Sequence, residues 1–355
     1  MKSPNEIKAL RPTPIIEELE IVAFERGMSI DYAVEAIMEG YDVLLLDFYS
    51  RGLEILKLLK NKISFSESKD YQSSRNNRAV FQKLSQHLLL EISMHNINVK
   101  KAPSIGWLKI LYPDLEEFLL PYPQVQGLNS AWQWYINGLQ IPVLKNKIYP
   151  WYATYFPTRF EHLFLFDDYL SNYKGAKQSA IDIGVGSGVL SLQMLQNGFG
   201  KIQATDSNPN AIIGMKELKA KENLASLDLY FGHLFAEINE PSELLVFNPP
   251  WLPKTQESQG IDAAMYYDEN MFEEFFAQAL YYMKENGQLV LIFSNLLELS
   301  YPHIPHPIKK ELAAHNRFKK VQLLQKEVGK ASTKTRRESS WRAKELVELW
   351  VLEKG

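Results

Sequence analysis

Three short stretches of this chain carry residue types whose spacing suits chemistry on a bound small molecule. In the first, Asp182-Ile183-Gly184-Val185-Gly186-Ser187-Gly188, three glycines alternate directly after an apolar run. Glycine lets the backbone turn sharply and come close to a ligand. The strand-to-helix turn of nicotinamide-binding folds uses the spacing G-x-G-x-x-G/A. Here Val189 occupies the third slot, and Gly188 comes one residue early.

The second stretch is Ala204-Thr205-Asp206-Ser207-Asn208-Pro209. A carboxylate at the end of the next strand can accept hydrogen bonds from both hydroxyls of a ribose. Asp206 can equally cap a helix that starts near Pro209, as can Ser207 or Asn208. The third stretch is Val246-Phe247-Asn248-Pro249-Pro250-Trp251. Consecutive prolines stiffen the backbone. The Asn248 amide oxygen and the Pro249 carbonyl then suit the two hydrogens of an NH2 group. The flat face of Trp251 suits the planar group carrying it, a stacking contact worth roughly 1–3 kcal/mol per base in nucleic-acid complexes. Alone, Pro-Pro-Trp also describes a rigid loop with a core tryptophan. Downstream of the glycine loop and Asp206, it reads as a grip on a planar nitrogen target.

Positioning these stretches requires an open α/β sheet, in which ligands bind at the carboxyl ends of strands. From about residue 178 the chain alternates strand and helix patterns, the texture of a parallel sheet covered on both faces. Strands are expected at Ala180–Ile183, Ile202–Thr205, Asp228–Phe231, Leu244–Phe247 and Gln288–Phe293, with helices at Val189–Gln196, Ala211–Asn223 and Glu269–Met283. A further helix at about Pro307–His315 precedes two strands, Lys319–Glu327 and Ala343–Leu352, which suit an antiparallel hairpin at one sheet edge. The fold class is therefore a doubly wound, seven-stranded, mostly parallel sheet with an N-terminal, mainly helical domain.

The expected organisation is an N-terminal domain over 1–137, a linker with short strands and a helix over 138–177, and the ligand-binding domain over 178–355. Ile15, Ile16, Leu19, Val22 and Ala23 recur at helical spacing, and a second helical stretch runs from Val43 to Leu59. The polar run Ser64–Asn77 reads as a mobile loop, Ala79–Met94 as a helix, and the proline- and aromatic-rich stretch 103–157 as a connector. A helix through Glu161–Leu170 leads into the second half.

Bulk properties narrow the class. A net charge of -3 argues against nucleic-acid binding by overall charge, though not against a local basic patch. With no cysteine, disulfides, cysteine zinc sites and thiol nucleophiles are excluded, and no metal is expected. No run of 18 apolar residues predicts a membrane span, and Met1–Glu6 has no apolar signal core, so the expected location is cytoplasmic.

The set Asp182–Gly188, Asp206 and Asn248–Trp251 resembles the class I S-adenosylmethionine-dependent methyltransferases of the Asn-Pro-Pro-aromatic type. Within that group it is most similar to the HemK/PrmC family of release-factor glutamine methyltransferases. The stretch from Gly138-Leu139-Gln140-Ile141-Pro142 to Phe156-Pro157-Thr158-Arg159-Phe160-Glu161-His162-Leu163 is similar to that family's linker. The resemblance covers about 138–300. It implies S-adenosylmethionine as cofactor, methylation of a glutamine amide or an exocyclic base amine, and a loop Phe156–Arg159 bordering the pocket. The implied cofactor residues are Asp182, Gly184, Gly186, Gly188, Asp206, Ser207, His233, Leu234, Asn248, Phe156 and Arg159; the implied catalytic set is Asn248, Pro249, Pro250 and Trp251.

Three positions depart from the family's pattern. Trp251 stands where tyrosine is usual, the slot after the third strand reads Phe231-Gly232-His233-Leu234-Phe235 instead of carrying an acid, and the linker arginine is displaced relative to the proline. His233 faces the adenine ring in this reading, or is structural. The expected partner is a protein or RNA recognised through the N-terminal domain. Between Arg317 and Lys344 stand ten Lys or Arg against two Glu, including Lys330, Lys334, Arg336 and Arg337, which suits phosphate contact or a solvated loop. A small-molecule amine is a third possible acceptor. A NAD-dependent oxidoreductase and a non-catalytic cofactor-binding scaffold are the readings from other classes; the misplaced third glycine and the presence of all three stretches weigh against them.

Overall fold

The computed structural model describes residues 7–64, 71–254, 266–329 and 344–355. Two compact units are present, Leu10–Ile136 and a second comprising Met1–Ala9 with Asn137–Gly355. The stretch from 138 to 177 thus belongs to the same unit as the large sheet. Among the described residues no helix is long and apolar enough to cross a membrane, and no group of His, Asp and Glu is placed to hold a metal.

In the N-terminal unit the helices are α1 (Ile30–Glu39), α2 (Tyr49–Ser64), α3 (Tyr71–Ser85), α4 (Trp107–Leu111) and α5 (Tyr122–Asn137). They come with a five-stranded sheet that the sequence reading did not contain. Its strands are β1 (Ile21–Phe24), β2 (Asp42–Leu45), β3 (Leu88–Ser93), β4 (Asn96–Ile97) and β5 (Glu117–Pro121). β1, β2 and β3 run parallel, while β4 and β5 pair antiparallel with β3. The apolar spacing at Ile15–Ala23 therefore leads into a strand, and the stretch Val43–Leu59 divides into β2 and α2. In the polar run Ser64–Asn77, Ser64 ends α2 and Tyr71–Asn77 form the first half of α3; residues 65–70 lie outside the described residues. Ala79–Met94 divides at Ser85, and the connector 103–157 contains a full helix, α5.

The second unit begins with α6 (Glu161–Asn172) and continues β6 (Ser179–Ile183), α7 (Val189–Gln196), β7 (Lys201–Asp206), α8 (Pro209–Lys221), β8 (Leu227–Phe231) and β9 (Ser242–Phe247). A short parallel pair, β10 (Leu252–Pro253) and β11 (Tyr266–Tyr267), precedes α9 (Met271–Tyr282), β12 (Met283–Ser294), α10 (Leu296–Ser300), α11 (Pro307–Ala314), β13 (Phe318–Glu327) and β14 (Leu346–Lys354). The large sheet has the order β13-β14-β12-β9-β6-β7-β8, and only β14 runs against the rest. β9 is buried at every position, as a central parallel strand covered on both faces must be. One core layer gathers Phe166, Met194 and Ile212, the other Phe235, Phe275 and Phe276.

The strand order sets the location of the site. From β6 the chain moves outward through β7 to β8, then returns to place β9 on the other side of β6. Such a reversal opens a crevice at the carboxyl ends of the two flanking strands, where ligands bind in open α/β sheets. Ile183 pairs with Phe247 and with Thr205, so the turns after β6, β7 and β9 leave the sheet at one level.

Candidate active site

The glycine loop leaves β6 and opens α7, with Gly184, Gly186 and Gly188 all at positive φ (72°, 49° and 82°). A side chain at Gly188 would place its Cβ 2.4 Å from Met215 Cε, and one at Gly186 would lie 3.2 Å from the Tyr155 carbonyl oxygen. Every N–H of the loop is engaged within the protein. Gly184 and Val185 both donate to the Thr205 carbonyl at 2.9 Å, Ser187 donates to the Tyr155 carbonyl at 3.1 Å, and Gly188 donates to the Val185 carbonyl at 2.8 Å. The remaining N–H, of Gly186, donates to Asp206 Oδ2 at 2.8 Å.

Asp206 ends β7 and also accepts from the Asn208 N–H through Oδ1 at 2.8 Å. Burial raises its pKa, and these two N–H groups counteract the rise. Capping of α8 falls to Asn208, whose side chain accepts from the Asn210 N–H, with Pro209 in the first turn. Ser207 is exposed. Asp182, on β6, is fully buried; it accepts from Ser191 Oγ at 2.5 Å, and its Oδ1 has no partner. Burial pushes its carboxyl up to about 7, an effect opposed by the Ser191 hydroxyl and N–H and reinforced by Asp206.

The preceding linker is latched onto this loop. Asn208 Nδ2 donates to the Ala153 carbonyl at 2.7 Å, and Asn210 Nδ2 donates to the Tyr152 carbonyl at 2.8 Å. Together with the Ser187 bond, they hold 152–155 beside the glycine turn. Phe156 packs against the core under α6 and α7. Arg159 takes an internal partner, Glu345 at 3.4 Å, and Glu345 is buried. Its neighbour Glu161 accepts the Gly329 N–H at 2.9 Å.

At the end of β9, Asn248 is half-buried, Pro249 buried, and Trp251 half-buried against both core layers. The Trp251 indole Nε1–H donates to Asn248 Oδ1 at 3.1 Å. His162, in the first turn of α6 and only 4% exposed, sets its ring at 88° to the Trp251 indole with centroids 6.2 Å apart. Burial pushes the His162 ring down to about 4, with Glu161 pulling the other way.

His233 turns elsewhere. Its side chain is 58% exposed and lies 3.5 Å from Glu274. Leu234 is buried at φ 48°, and its carbonyl accepts from Thr205 Oγ1 at 2.5 Å. The structure thus brings together the glycine loop, Asp206 and Asn248–Trp251, with Asp182 beneath the loop. His233 and Arg159 stand beside acidic side chains, Glu274 and Glu345. Lys330, Lys334, Arg336 and Arg337 lie outside the described residues. Tyr155, Ser191, Asn208, Asn210 and His162 were not singled out for the site in the sequence; only Asn208-Pro209-Asn210, with two amides flanking a helix start, carried a local signal.

The match to known families now falls on this same region. Residues 165–327 match the model of the methyltransferase small domain. The chain carries a methyltransferase domain. Over 126 residues it is 29% identical to a protein assigned as a protein N5-glutamine methyltransferase in Methanocaldococcus jannaschii, covering 34% of this chain and 63% of the relative. Over 125 residues it is 28% identical to the release factor glutamine methyltransferase of Streptococcus pneumoniae, covering 32% of this chain and 44% of that protein. The chain therefore spans less than two thirds of either relative's length. Among solved structures, the ribosomal protein L11 methylase of Lactobacillus delbrueckii subsp. bulgaricus matches with a TM-score of 0.39 at 17% identity, over 57% of this chain and 82% of that one. The methyltransferase domain includes the glycine loop, Asp206 and Asn248–Trp251, the residues on which the resemblance to glutamine methyltransferases was drawn.

Proposed function

We propose that this protein is an S-adenosylmethionine-dependent N-methyltransferase acting on a planar amide or amine nitrogen, with a protein glutamine side chain as the leading acceptor. The observation that carries the reading is the placement of Asn248 and Trp251, hydrogen-bonded to each other, at the crevice beside the glycine loop and Asp206.

The loop also bears on the choice of cofactor. With all five N–H groups from Gly184 to Gly188 donating to protein oxygens, none is left to cradle a pyrophosphate. The Asp206 carboxyl at the end of β7 suits the hydroxyls of a ribose, which either cofactor carries. S-adenosylmethionine, when bound, supplies a methyl group already activated on a sulfonium, so no protein nucleophile or metal is needed. Asp206 and the glycine turn would hold it, with Asn248 bordering it.

The protein's work is positioning, which can supply roughly 7–11 kcal/mol of a barrier. An amide nitrogen is a poor nucleophile because its lone pair is delocalised into the carbonyl. An asparagine oxygen has two acceptor sites. One holds the Trp251 indole, leaving the other for a target N–H while the Pro249 carbonyl takes the second hydrogen. Drawing both hydrogens to one side turns the lone pair toward the methyl donor. In this proposal the N-terminal unit selects the acceptor.

A base amine in RNA is the second reading, favoured by the ten Lys or Arg between Arg317 and Lys344. Calorimetric titration with S-adenosylmethionine and, separately, NAD tests the cofactor. Transfer of labelled methyl to glutamine-bearing proteins or to RNA then tests the acceptor. Binding of NAD alone would overturn the proposal.

A further inference from the structure

We propose that His162 is the positioning residue of the target grip: its ring sets the indole of Trp251 so that the indole N–H reaches Asn248. The inference rests on the reading of Asn248–Trp251 as that grip.

His162 is 4% exposed, and its ring makes a perpendicular contact with the Trp251 indole. The perpendicular geometry brings the electropositive edge of one ring toward the electron-rich face of the other, a specific arrangement and not general packing. The ring stays neutral near pH 7, because burial pushes its pKa down to about 4. An uncharged ring can stand beside the indole without drawing water into the crevice.

The local fold fixes both ends of this chain of contacts. Glu161, the preceding residue, accepts from the Gly329 N–H at 2.9 Å, which ties the first turn of α6 to the end of β13. The indole must lie where two demands meet, perpendicular contact with His162 and a 3.1 Å bond to Asn248 Oδ1. The bond also settles which way Asn248 points. An indole N–H only donates, so it must face the oxygen of the amide and not its nitrogen.

The experiment follows the Trp251 indole N–H by nitrogen-15 NMR, its signal picked out from the seven tryptophans by its loss in Trp251→Phe. The expected result is that His162→Leu, which fills the space without a ring edge, shifts this signal and speeds its hydrogen exchange. His162→Phe should hold it near the wild-type position. Methyl transfer should fall about tenfold to a hundredfold in kcat for His162→Leu, with affinity for S-adenosylmethionine unchanged, and recover in His162→Phe. Identical indole signals in wild type and His162→Leu would overturn the proposal. Methyl transfer left intact by Asn248→Ala would instead overturn the grip itself, whatever the indole signal does.

Discussion

The Trp251 indole donates its only N–H to the side-chain oxygen of Asn248, three residues before it, at 3.1 Å. The Asn-Pro-Pro-Trp turn is therefore closed on itself, its platform and its acceptor joined before any target arrives. Two prolines between them limit how the backbone can relax if that bond is lost.

Removing the indole donor should loosen Asn248 without touching the cofactor. A neutral hydrogen bond is worth about 1 kcal/mol, or roughly fivefold in rate. Trp251→Phe should therefore lower kcat by at least that much, with cofactor affinity unchanged by calorimetry. Asn248→Ala, which removes the acceptor, should cost about 10²–10³ in kcat. Equal kcat for Asn248→Ala and wild type would remove Asn248 from the mechanism.

Gly188→Ala should destabilise the domain. Gly188 sits at φ 82°, and the added Cβ would meet Met215 Cε at 2.4 Å. The left-handed conformation alone costs about 1–2 kcal/mol, which for a domain of this size lowers Tm by roughly 2–8 °C. Gly198→Ala is the control, since Gly198 has φ 89° with nothing within 4 Å of the new Cβ. Both variants should lose Tm, Gly188→Ala more, and only Gly188→Ala should lose cofactor affinity.

Stability should fall in mild acid because of His162. The unfolded ring takes up a proton below about pH 6.5, whereas the folded ring, pushed down by burial, does so only near 4. Between those values the unfolded state binds more protons, so stability drops as pH drops, by ~3 kcal/mol over the whole interval. Above pH 6.5 the residue has no such effect. Denaturant unfolding at pH 7 and pH 4.5 should show a smaller difference for His162→Phe than for wild type; an unchanged acid limb would mean that the ring titrates normally.

Asp182 acts in the opposite direction. Its folded carboxyl is pushed up to about 7, so between about pH 4 and 7 the folded state holds a proton that the unfolded chain has released. Stability therefore declines as pH rises through that range, and the cost is fully present above it. Asp182→Asn should remove this decline while leaving an acceptor for Ser191. Its Tm relative to wild type should be higher at pH 8 than at pH 5, while S-adenosylmethionine binds more weakly.

The large sheet was legible because its central strands are short apolar runs separated by helical segments, and all seven strands lie close to their expected places. The N-terminal unit was not. Val43 to Leu59 is rich in apolar residues on both sides of Ser50-Arg51-Gly52, and periodicity alone does not separate a buried strand from the helix that follows it. The first half of α3, Tyr71-Gln72-Ser73-Ser74-Arg75-Asn76-Asn77, has no apolar stripe to announce a helix. At the site, residue types and strand ends pointed to Asn248, Trp251 and Asp206. The contacts of His162 with Trp251 and of Arg159 with Glu345 join positions far apart in the chain, which no local spacing encodes.

The position of β14 between β12 and β13 has a consequence for synthesis. β13 leaves the ribosome before the strand that joins it to the sheet, and its exposed residues include Lys319, Lys320 and Lys326. Until β14 inserts, β12 presents a bare edge of apolar residues, Leu289 to Phe293, to any passing strand. That interval is the nascent domain's most vulnerable moment, and the lysines of β13 place mutually repelling charge on the one strand that must wait.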